Sequence, residues 1–359
     1  MSATLLRGIG LMSGTSLDGI DAALIETDGA AVIRRGPSLT IPYDDGFRTR
    51  LRGVLGEARE TAEVLAVEQA LTLRHVEAVE ALVARHRPGA IDVVGFHGHT
   101  IFHRPGERRT RQIGDGREMA RRLGIPVVSD FRSADVAAGG QGAPFVPAYH
   151  RALAEGLPRP LAVLNLGGVG NVTWIGAGED DLLAFDTGPG NALIDDWALR
   201  HTGQAVDLNG ALARRGRVDE AAVRSFLAHP YFAAKPPKSL DRDEFAGLMP
   251  HHLSAEDGAA TLTRITAACV SRARDHLPAP PQRWLVAGGG RHNPALMAAL
   301  AAELGPSVEP VGQVGWDGDA LEAEAFAYLA VRSLRGLPLS YPGTTGVPAP
   351  QTGGRTDYP

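Results

Sequence analysis

Residues Gly8 to Leu24 read Gly-Ile-Gly-Leu-Met-Ser-Gly-Thr-Ser-Leu-Asp-Gly-Ile-Asp-Ala-Ala-Leu, and this stretch decides the fold that we predict. An apolar run ends at Met12, small polar residues follow, and a second apolar run starts at Ile20. The pattern predicts a β-hairpin whose glycine-rich loop offers backbone N–H groups and hydroxyls to an anion. Because glycine has no Cβ, such a loop lets the backbone approach a phosphate closely. An ordinary polar hairpin loop is the alternative interpretation.

The composition is typical of a soluble globular enzyme. The 359 residues indicate about two domains, and 44% of them are hydrophobic. With 36 basic and 41 acidic residues the net charge is −5, which is not the basic footprint of a nucleic-acid-binding protein. The single cysteine, Cys269, lies in an apolar helical pattern, so we expect a buried, inert thiol and no disulfide. We find neither a signal peptide nor an apolar run of bilayer length, and therefore expect a cytoplasmic protein without membrane or nucleic-acid partners.

A second stretch repeats the opening pattern. Residues 161–175 read as strand, small-residue turn and strand, with Asn165, Gly167, Gly168 and Asn171 at the turn. Strands and helices alternate after both hairpins, which favours an α/β layer architecture. We therefore predict two lobes, 1–155 and 156–335, each opening on a phosphate-binding hairpin and facing the other across a cleft. The Pro- and Gly-rich tail, 336–359, is expected to pack as a loop or to fray.

Asp186 is the first candidate for a catalytic group. It ends an apolar strand and begins a glycine-rich turn before a helix, which is where α/β sheets commonly place active-site residues. Such a carboxylate could accept a proton from a nucleophile aligned with a γ-phosphoryl group. The N–H groups that follow, up to Asn191, would face an anion at the helix N-terminus. A plain helix N-cap is the alternative role for Asp186.

Other candidates carry weaker signals. His97, His99 and His103 raise the question of zinc, but no carboxylate or fourth ligand accompanies them, and His103 is expected to be an exposed loop residue. Asp130 and Arg132 follow a strand and either contact a ligand or form a structural ion pair. No Gly-Lys dipeptide, GxSxG, HExxH or post-strand GxGxxG motif is present. Gly288-Gly-Gly290 follows a strand, and its bare backbone suits a nucleotide's ribose or base.

These motifs resemble those of the anhydro-N-acetylmuramic acid kinases, a family in the actin/hexokinase/Hsp70-like ATPase superfamily. The matching stretches follow the family's order and are Gly10–Asp21, His97-Gly98, Gln112–Asp115, Asp130–Arg132, Gly139–Pro144, Asn165–Gly168 with Asn171, Asp186–Asn191, and Gly288–Gly290 with Asn293. The resemblance implies a two-lobed α/β actin-like ATPase fold with ribonuclease H-like duplicated lobes, that is, mixed sheets with flanking helices around a central cleft.

The resemblance also implies an activity in cell-wall recycling. ATP and Mg²⁺ would be used to convert 1,6-anhydro-N-acetylmuramic acid into N-acetylmuramic acid 6-phosphate, with water opening the anhydro ring and Asp186 as its base. Substrate contacts would be His97, Asp130, Arg132, Gly188 and Asn191. ATP contacts would be Gly14, Thr15, Ser16, Leu17, Asp18, Gly19, Ile20, Asp21, Asn165, Gly167, Gly168, Asn171, Gly288, Gly289, Gly290 and Asn293. Asp18 and Asp21 are the metal candidates, and the family suggests a homodimer.

The sequence departs from the family pattern at two places. His99 stands where a Gln is usual, which puts one substrate hydrogen bond in doubt. Leu240-Asp-Arg-Asp243 replaces Thr-Gly-Arg-Glu, and Asp241 thus stands where a glycine could need a positive φ. Two other functions stay open: a nucleotide-driven conformational module of the actin or Hsp70 kind, and a kinase for a different small sugar. Fold alone does not separate these, because function depends on the site.

Overall fold

A computed structural model describes residues 4–14, 17–178, 181–240, 244–305 and 307–359. Thr15, Ser16 and Asp241, three residues singled out above, lie outside the described residues. The strands are β1 (Leu6–Met12), β2 (Gly19–Thr27), β3 (Val32–Pro42), β4 (Val93–Phe96), β5 (His99–Arg104), β6 (Arg109–Ile113), β7 (Val127–Ser129), β8 (Leu161–Leu166), β9 (Val169–Ile175), β10 (Leu182–Pro189), β11 (Arg283–Ala287), β12 (Val308–Pro310) and β13 (Arg355–Asp357).

The helices follow from apolar periodicity and from identifiable caps. They are α1 (Asp45–Gly53), α2 (Ala62–His86), α3 (Gly116–Leu123), α4 (Ser133–Ala137), α5 (Pro147–Leu153), α6 (Ala192–Thr202), α7 (Glu220–Leu227), α8 (Ala255–Ala273), α9 (Pro294–Leu304), α10 (Leu321–Leu334) and α11 (Pro342–Thr345). The Ser254 hydroxyl accepts the Asp257 N–H at 3.1 Å, which confirms the predicted start of α8. The Thr61 side chain caps α2 in the same way.

The chain divides into two compact units. Unit 1 comprises Met1–Glu155 with Ala320–Pro359, and unit 2 comprises Gly156–Asp319. The main sheet of unit 1 has the order β13-β7-β4-β1-β2-β3. Its strands β1, β2 and β3 are successively antiparallel, whereas β1, β4 and β7 are parallel. Alternate residues of β1 serve opposite faces, so Ile9 and Leu11 join the buried cluster that includes apolar residues of α2.

The opposite face of this sheet packs closely against α10. A Cβ at Gly10 would lie 1.8 Å from the carbonyl oxygen of Ala323, and one at Gly95 would lie 2.1 Å from that of Phe326. Only glycine allows this approach, so α10 belongs to unit 1. Our prediction that the second lobe extends to residue 335 is therefore wrong at its C-terminal end.

The tail also differs from expectation. Strand β13 pairs antiparallel with β7, and Arg355 lies opposite Ser129 in this pair. Helix α11 forms within the predicted loop. The backbone N–H of Gln141 donates to the Thr345 carbonyl at 2.7 Å. The residues after 335 are thus an ordered part of unit 1, because the edge of β7 offers them backbone partners.

The sheet of unit 2 has the order β10-β9-β8-β11-β12. Its first three strands are antiparallel, and β8, β11 and β12 are parallel, so the order and directions equal those of β3-β2-β1-β4-β7. Helices α8 and α9 contribute to its apolar core. The predicted fold class is confirmed: each unit has a ribonuclease H-like mixed sheet with flanking helices.

The segment from Tyr231 to Phe245 reads in the sequence as an irregular surface loop. Its described part is irregular, but Phe232 and Phe245 are buried and stack with ring centroids 5.6 Å apart. These rings join the core that contains α8 and therefore fix the segment against unit 2. This anchoring matters for Asp186, which the segment contacts.

Candidate active site

The loop of the first hairpin is held by buried hydrogen bonds. The Ser13 hydroxyl lies 2.7 Å from the Tyr43 hydroxyl and 2.9 Å from Nδ1 of His99. Burial lowers the pKa of His99 to about 4, so this imidazole is neutral. His99, which stands where the family usually has a Gln, therefore supports the loop through its contact with Ser13. This role differs from the direct substrate hydrogen bond considered for this position.

The described loop residues offer backbone groups more than side chains. Leu17 has a left-handed φ of 61° and a buried side chain, and its carbonyl accepts Arg48 Nε at 3.1 Å. Ile20 is also in the core, so only the backbone of these two residues could face ATP. A Cβ at Gly19 would lie 2.3 Å from the Ile41 carbonyl oxygen, so close strand packing already requires this glycine. Strained backbone in a non-glycine loop residue often accompanies a functional site.

His97 and Arg132 form one unit of structure. Nδ1–H of His97 donates to the Gly98 carbonyl at 2.9 Å, which leaves Nε2 to accept from Arg132 at 2.9 and 3.2 Å. Burial and the guanidinium charge hold the pKa of His97 well below its usual value. Arg132 also donates to the Gly142 carbonyl at 2.5 Å, and burial lowers its pKa to about 10. Both ring nitrogens of His97 are thus used within the protein, and His97 orients Arg132.

Asp130 lines a cavity of about 250 Å³ in unit 1. It adopts a left-handed φ of 51°, and its carboxylate accepts the Ser133 N–H at 3.3 Å. His97 also lines this cavity, as do Ser129 and Gln112. Ser129 Oγ and Gln112 Oε1 are buried and have no hydrogen-bond partner among the described residues. Buried polar atoms normally have partners, so these two are free to receive a polar ligand.

Glu322, in the first turn of α10, is a candidate site residue that the sequence did not predict. Its pKa is raised by burial and by the charge of Asp21, while Arg132 opposes the shift. Asp21 in turn accepts the Thr40 hydroxyl at 2.6 Å. Two acidic residues at a helix start usually complement the helix dipole, so the sequence held no signal that Glu322 approaches Asp21.

The carboxylates of Asp21 and Glu322 also bear on where a metal ion could bind. Two nearby carboxylates repel each other, and a divalent cation would relieve that repulsion. Asp18, the other candidate, is exposed. Within the described ranges, no three His, Cys, Asp or Glu side chains gather into a metal-binding group, so neither a zinc site nor an all-protein magnesium cage is found there.

His103, expected in an exposed loop, lies half-buried in β5 and accepts or donates a hydrogen bond at Thr110.

In unit 2, polar residues predicted from two separate motifs lie in one row across the sheet. Asn165 of β8 pairs with Asn171 of β9, and Asn171 pairs with Asp186 of β10. Cross-strand partners share a face, so the three side chains project to the same side. All three are half-buried among the largely buried residues of these strands. The row places a carboxylate beside two amides.

The segment anchored by Phe232 and Phe245 holds Asp186 through three hydrogen bonds. The Tyr231 hydroxyl donates to the Asp186 carbonyl at 2.6 Å, and the Asp186 N–H donates to the Lys238 carbonyl at 3.1 Å. The carboxylate itself accepts the Leu240 N–H at 2.8 Å. Burial raises the pKa of Asp186 to about 7, and the Leu240 N–H opposes that shift. A carboxyl group with such a raised pKa is a candidate for proton transfer near neutral pH.

The residues that follow Asp186, proposed above as ligand contacts, also make close contacts within unit 2. Gly188 has φ 154°, and a Cβ there would lie 2.7 Å from Cβ of Cys269. Burial raises the pKa of the Cys269 thiol, in agreement with the predicted inert cysteine. The Asn191 N–H donates to the Gly167 carbonyl at 2.7 Å, and its side-chain amide donates to the Leu166 carbonyl at 2.9 Å.

The glycine loop after β11 joins the same neighbourhood. Gly288 has φ 74°, and a Cβ there would lie 2.4 Å from Asn165 Oδ1. A Cβ at Gly290 would lie 2.6 Å from the Leu166 side chain. Asn293 caps α9, since its side chain accepts the N–H groups of Ala295 and Leu296. Unit 2 therefore brings together the second hairpin, the Asp186 turn and the glycine loop, which are far apart in sequence.

In the part of the chain that the structure describes, no helix combines the length and hydropathy needed to cross a lipid bilayer.

Comparison with known proteins agrees with these motifs. A solved gluconate kinase from Lactobacillus acidophilus aligns with a TM-score of 0.48 at 12% identity, over 99% of this chain and 94% of that one. The sequence model of the anhydro-N-acetylmuramic acid kinase family matches residues 6–358. The chain is 61% identical to the anhydro-N-acetylmuramic acid kinase of Paramagnetospirillum magneticum, over 99% of this chain and 100% of that protein. It is also 61% identical to that of Rhodospirillum rubrum, over 96% of this chain and 92% of that protein. On the family match and these two identities, the chain belongs to the anhydro-N-acetylmuramic acid kinase family.

Proposed function

We propose that this protein uses ATP to open 1,6-anhydro-N-acetylmuramic acid and phosphorylate it, giving N-acetylmuramic acid 6-phosphate for cell-wall recycling. Water attacks the anomeric carbon, the bond from that carbon to the bridging oxygen breaks, and the freed O6 takes the γ-phosphoryl group. The water must lose a proton in this step. The observation that carries the proposal is a half-buried carboxylate, Asp186, with a pKa of about 7 in a member of this kinase family.

Asp186 suits the role of general base for two physical reasons. A base works best when its pKa lies near the working pH, and burial brings that of Asp186 to about 7. The Leu240 N–H holds the carboxylate itself, and the bonds from Tyr231 and to Lys238 hold the backbone of Asp186. A fixed base avoids the entropy cost of finding its proton.

ATP contacts are proposed in both units. The glycine-containing loop of the first hairpin, with Gly14, and the described residues from Leu17 to Asp21 would offer backbone N–H groups. In unit 2, the carbonyl groups of Gly167 and Gly168 are occupied by backbone donors of residues 190–192. Their turn, with the glycine loop that begins at Gly288, would therefore present N–H groups and bare backbone to the nucleotide.

Mg²⁺ would be held by few protein groups. Asp21 is the better of the two proposed ligands. Its negative charge raises the pKa of Glu322, and a bound cation would offset the repulsion between these two carboxylates. When bound, Mg²⁺ neutralises phosphate charge, and water and phosphate oxygens would complete its coordination.

For the sugar, we assign direct contacts to Arg132 and Asp130 and a positioning role to His97. Asn191 and the backbone near Gly188 remain proposed contacts in unit 2. A homodimer and a cytoplasmic location also remain proposals, which rest on the family resemblance and on the sequence.

The test is ADP release with 1,6-anhydro-N-acetylmuramic acid, beside a control without sugar. Sugar-dependent ADP release is expected, with kcat/KM falling tenfold per pH unit below about pH 7 as Asp186 becomes protonated. Asp186→Asn should lower kcat by about 10²- to 10⁴-fold. The matched variant Asp275→Asn changes a carboxylate whose side chain is 61% exposed and should keep full activity.

Two outcomes would contradict the proposal. ADP release without any sugar would favour the nucleotide-driven conformational module, whereas release with only another sugar would favour a kinase of different specificity. Full activity in Asp186→Asn would remove this residue as the base while leaving the substrate assignment intact.

A further inference from the structure

The glycine loop after β11 contains a peptide with glycine on both sides. Gly288 has φ 74° and ψ 176°, a backbone conformation that is essentially restricted to glycine. Gly289 is exposed, and a Cβ there would meet one atom within 4 Å among the described residues, Asn191 Nδ2 at 3.8 Å. Because glycine adopts positive and negative φ about equally well, these two residues alone would let the peptide turn over. Another group must therefore set its direction.

Arg291 holds this peptide by its carbonyl group. Nη1 of Arg291 donates to the Gly288 carbonyl at 2.8 Å, and the backbone N–H of Arg291 donates to the same oxygen at 3.3 Å. In a planar trans peptide the C=O and N–H bonds point in opposite directions. Since the Gly288 carbonyl faces Arg291, the N–H of Gly289 is directed away from it. Arg291 thereby selects the orientation that offers a donor, and not an acceptor, on the side away from its own guanidinium.

The guanidinium of Arg291 is itself held in place. The Arg291 side chain is only 10% exposed, and its Nη2 donates to the Asp319 carboxylate at 2.5 Å. A Cβ at Gly318 would lie 2.6 Å from Arg291 Nε, so the guanidinium packs against bare backbone there. The hydrogen bond from Arg291 holds the pKa of Asp319 below its usual value, so both partners are charged at neutral pH. A charge-assisted hydrogen bond and close packing together leave the guanidinium little freedom.

We propose that Arg291 is a positioning residue for the nucleotide: it holds the Gly288–Gly289 peptide with its N–H toward bound ATP, and Asp319 orients it. The inference rests on the nucleotide part of the proposed function, which assigns the glycine loop to ATP. Ribose hydroxyls, purine nitrogens and phosphate oxygens can all accept a hydrogen bond from an N–H. A carbonyl oxygen in its place would repel a phosphate oxygen. Arg291 thus acts through the loop and not by contact with the nucleotide.

The experiment measures ADP binding by calorimetry, because ADP binds without turnover. In Arg291→Ala the peptide is free to turn over. If the binding orientation falls to about one tenth of the population, the Kd for ADP rises about tenfold, or about 1.4 kcal/mol. In the ADP-release assay the KM for ATP should rise by a similar factor, while kcat and the KM for sugar stay unchanged. Arg291→Lys keeps a charged donor and should recover part of the affinity, which a merely structural loss would not allow.

The matched control is Arg283→Ala at the other end of β11. Arg283 starts the strand, pairs with Glu309 at 2.5 Å and has a side chain that is 29% exposed. Its removal also breaks an ion pair of unit 2, but the Kd for ADP should not change. Urea unfolding shows whether each variant is folded. If Arg291→Ala does not fold, Asp319→Asn keeps an acceptor oxygen and should still raise the Kd for ADP about threefold.

Each other result has a defined meaning. An unchanged Kd for ADP in the folded variants of Arg291 and Asp319 would overturn the inference. An equal increase in Arg283→Ala, or a KM for sugar that rises as much as the KM for ATP, would overturn it too, since either would indicate a general disturbance of unit 2. If ADP binding weakens as expected but wild-type protein releases no ADP with 1,6-anhydro-N-acetylmuramic acid, the inference stands and the proposed sugar substrate fails.

Discussion

Replacing Asp186 by Asn should stabilise unit 2, and the gain should depend on pH. In an unfolded chain an aspartate has a pKa of about 3.9, whereas burial raises the pKa of Asp186 to about 7. The folded state therefore binds more protons than the unfolded state between about pH 4 and pH 7. The free energy of unfolding accordingly falls as pH rises through that window.

The magnitude follows from the two pKa values. At pH 8, ionised Asp186 costs the folded state about 4 kcal/mol, since each pKa unit is worth about 1.4 kcal/mol. At pH 5 the same group costs only about 1.5 kcal/mol, because it is largely protonated in the fold. An asparagine is neutral at both pH values, and its side-chain oxygen can still accept the Leu240 N–H. Asp186→Asn should therefore stabilise unit 2 by up to these amounts, and by more at pH 8.

Urea unfolding followed by tryptophan fluorescence measures this directly. All the tryptophans lie in unit 2, so their fluorescence reports on that unit; they are Trp174, Trp197, Trp284 and Trp316. Asp275→Asn, an exposed substitution, should shift stability by less than about 0.5 kcal/mol at either pH. A gain in Asp186→Asn that is equal at pH 5 and pH 8, or a loss at pH 8, would refute the reasoning.

Two further substitutions test how Asp186 is held. Tyr231→Phe removes the hydroxyl that donates to the Asp186 carbonyl at 2.6 Å, so unit 2 should lose about 1 kcal/mol in urea unfolding and kcat should fall while the KM for sugar stays unchanged. An unaltered kcat would show that this bond does not position the base. Gly188→Ala sets a Cβ 2.7 Å from Cβ of Cys269 and should cost unit 2 about 3 kcal/mol, whereas Gly203→Ala, with φ 73° and open space around it, should cost about 1 kcal/mol. Equal losses in the two alanine variants would mean that backbone strain, and not packing, makes Gly188 necessary.

Local signals in the sequence predicted the elements well. The apolar runs on both sides of Ser13 give the antiparallel pair β1 and β2, and Ser254 begins α8 as its spacing to Asp257 predicted. Apolar alternation and helix caps act over a few residues, so they can be read from one chain. The same holds for Cys269, whose apolar helical surroundings predicted its burial.

Contacts between distant segments could not be read in this way. Helix α10 follows the second lobe in sequence but packs on Gly10 and Gly95, and a chain alone does not state which sheet a helix covers. The approach of Glu322 to Asp21, and the anchoring of the Asp186 segment by Phe232, are likewise tertiary. Such contacts depend on the complete fold and not on local propensity.

The repeated sheet explains why the predicted site residues fall where they do. The row Met12, Asp21 and Thr40 in unit 1 has the same strand order as the row Asn165, Asn171 and Asp186 in unit 2. One fold thus places a carboxylate on the middle strand of the first row and on the outer strand of the second. The Asp21 carboxylate accepts a hydroxyl at 2.6 Å, and its charge helps to raise the pKa of Glu322, a setting that suits a cation. The Asp186 carboxylate is half-buried, and burial raises its pKa to about 7, a setting that suits proton transfer. When environments separate two carboxylates in this way, the difference supports separate roles for them, and this agrees with our proposal of Asp21 as the cation ligand and Asp186 as the base.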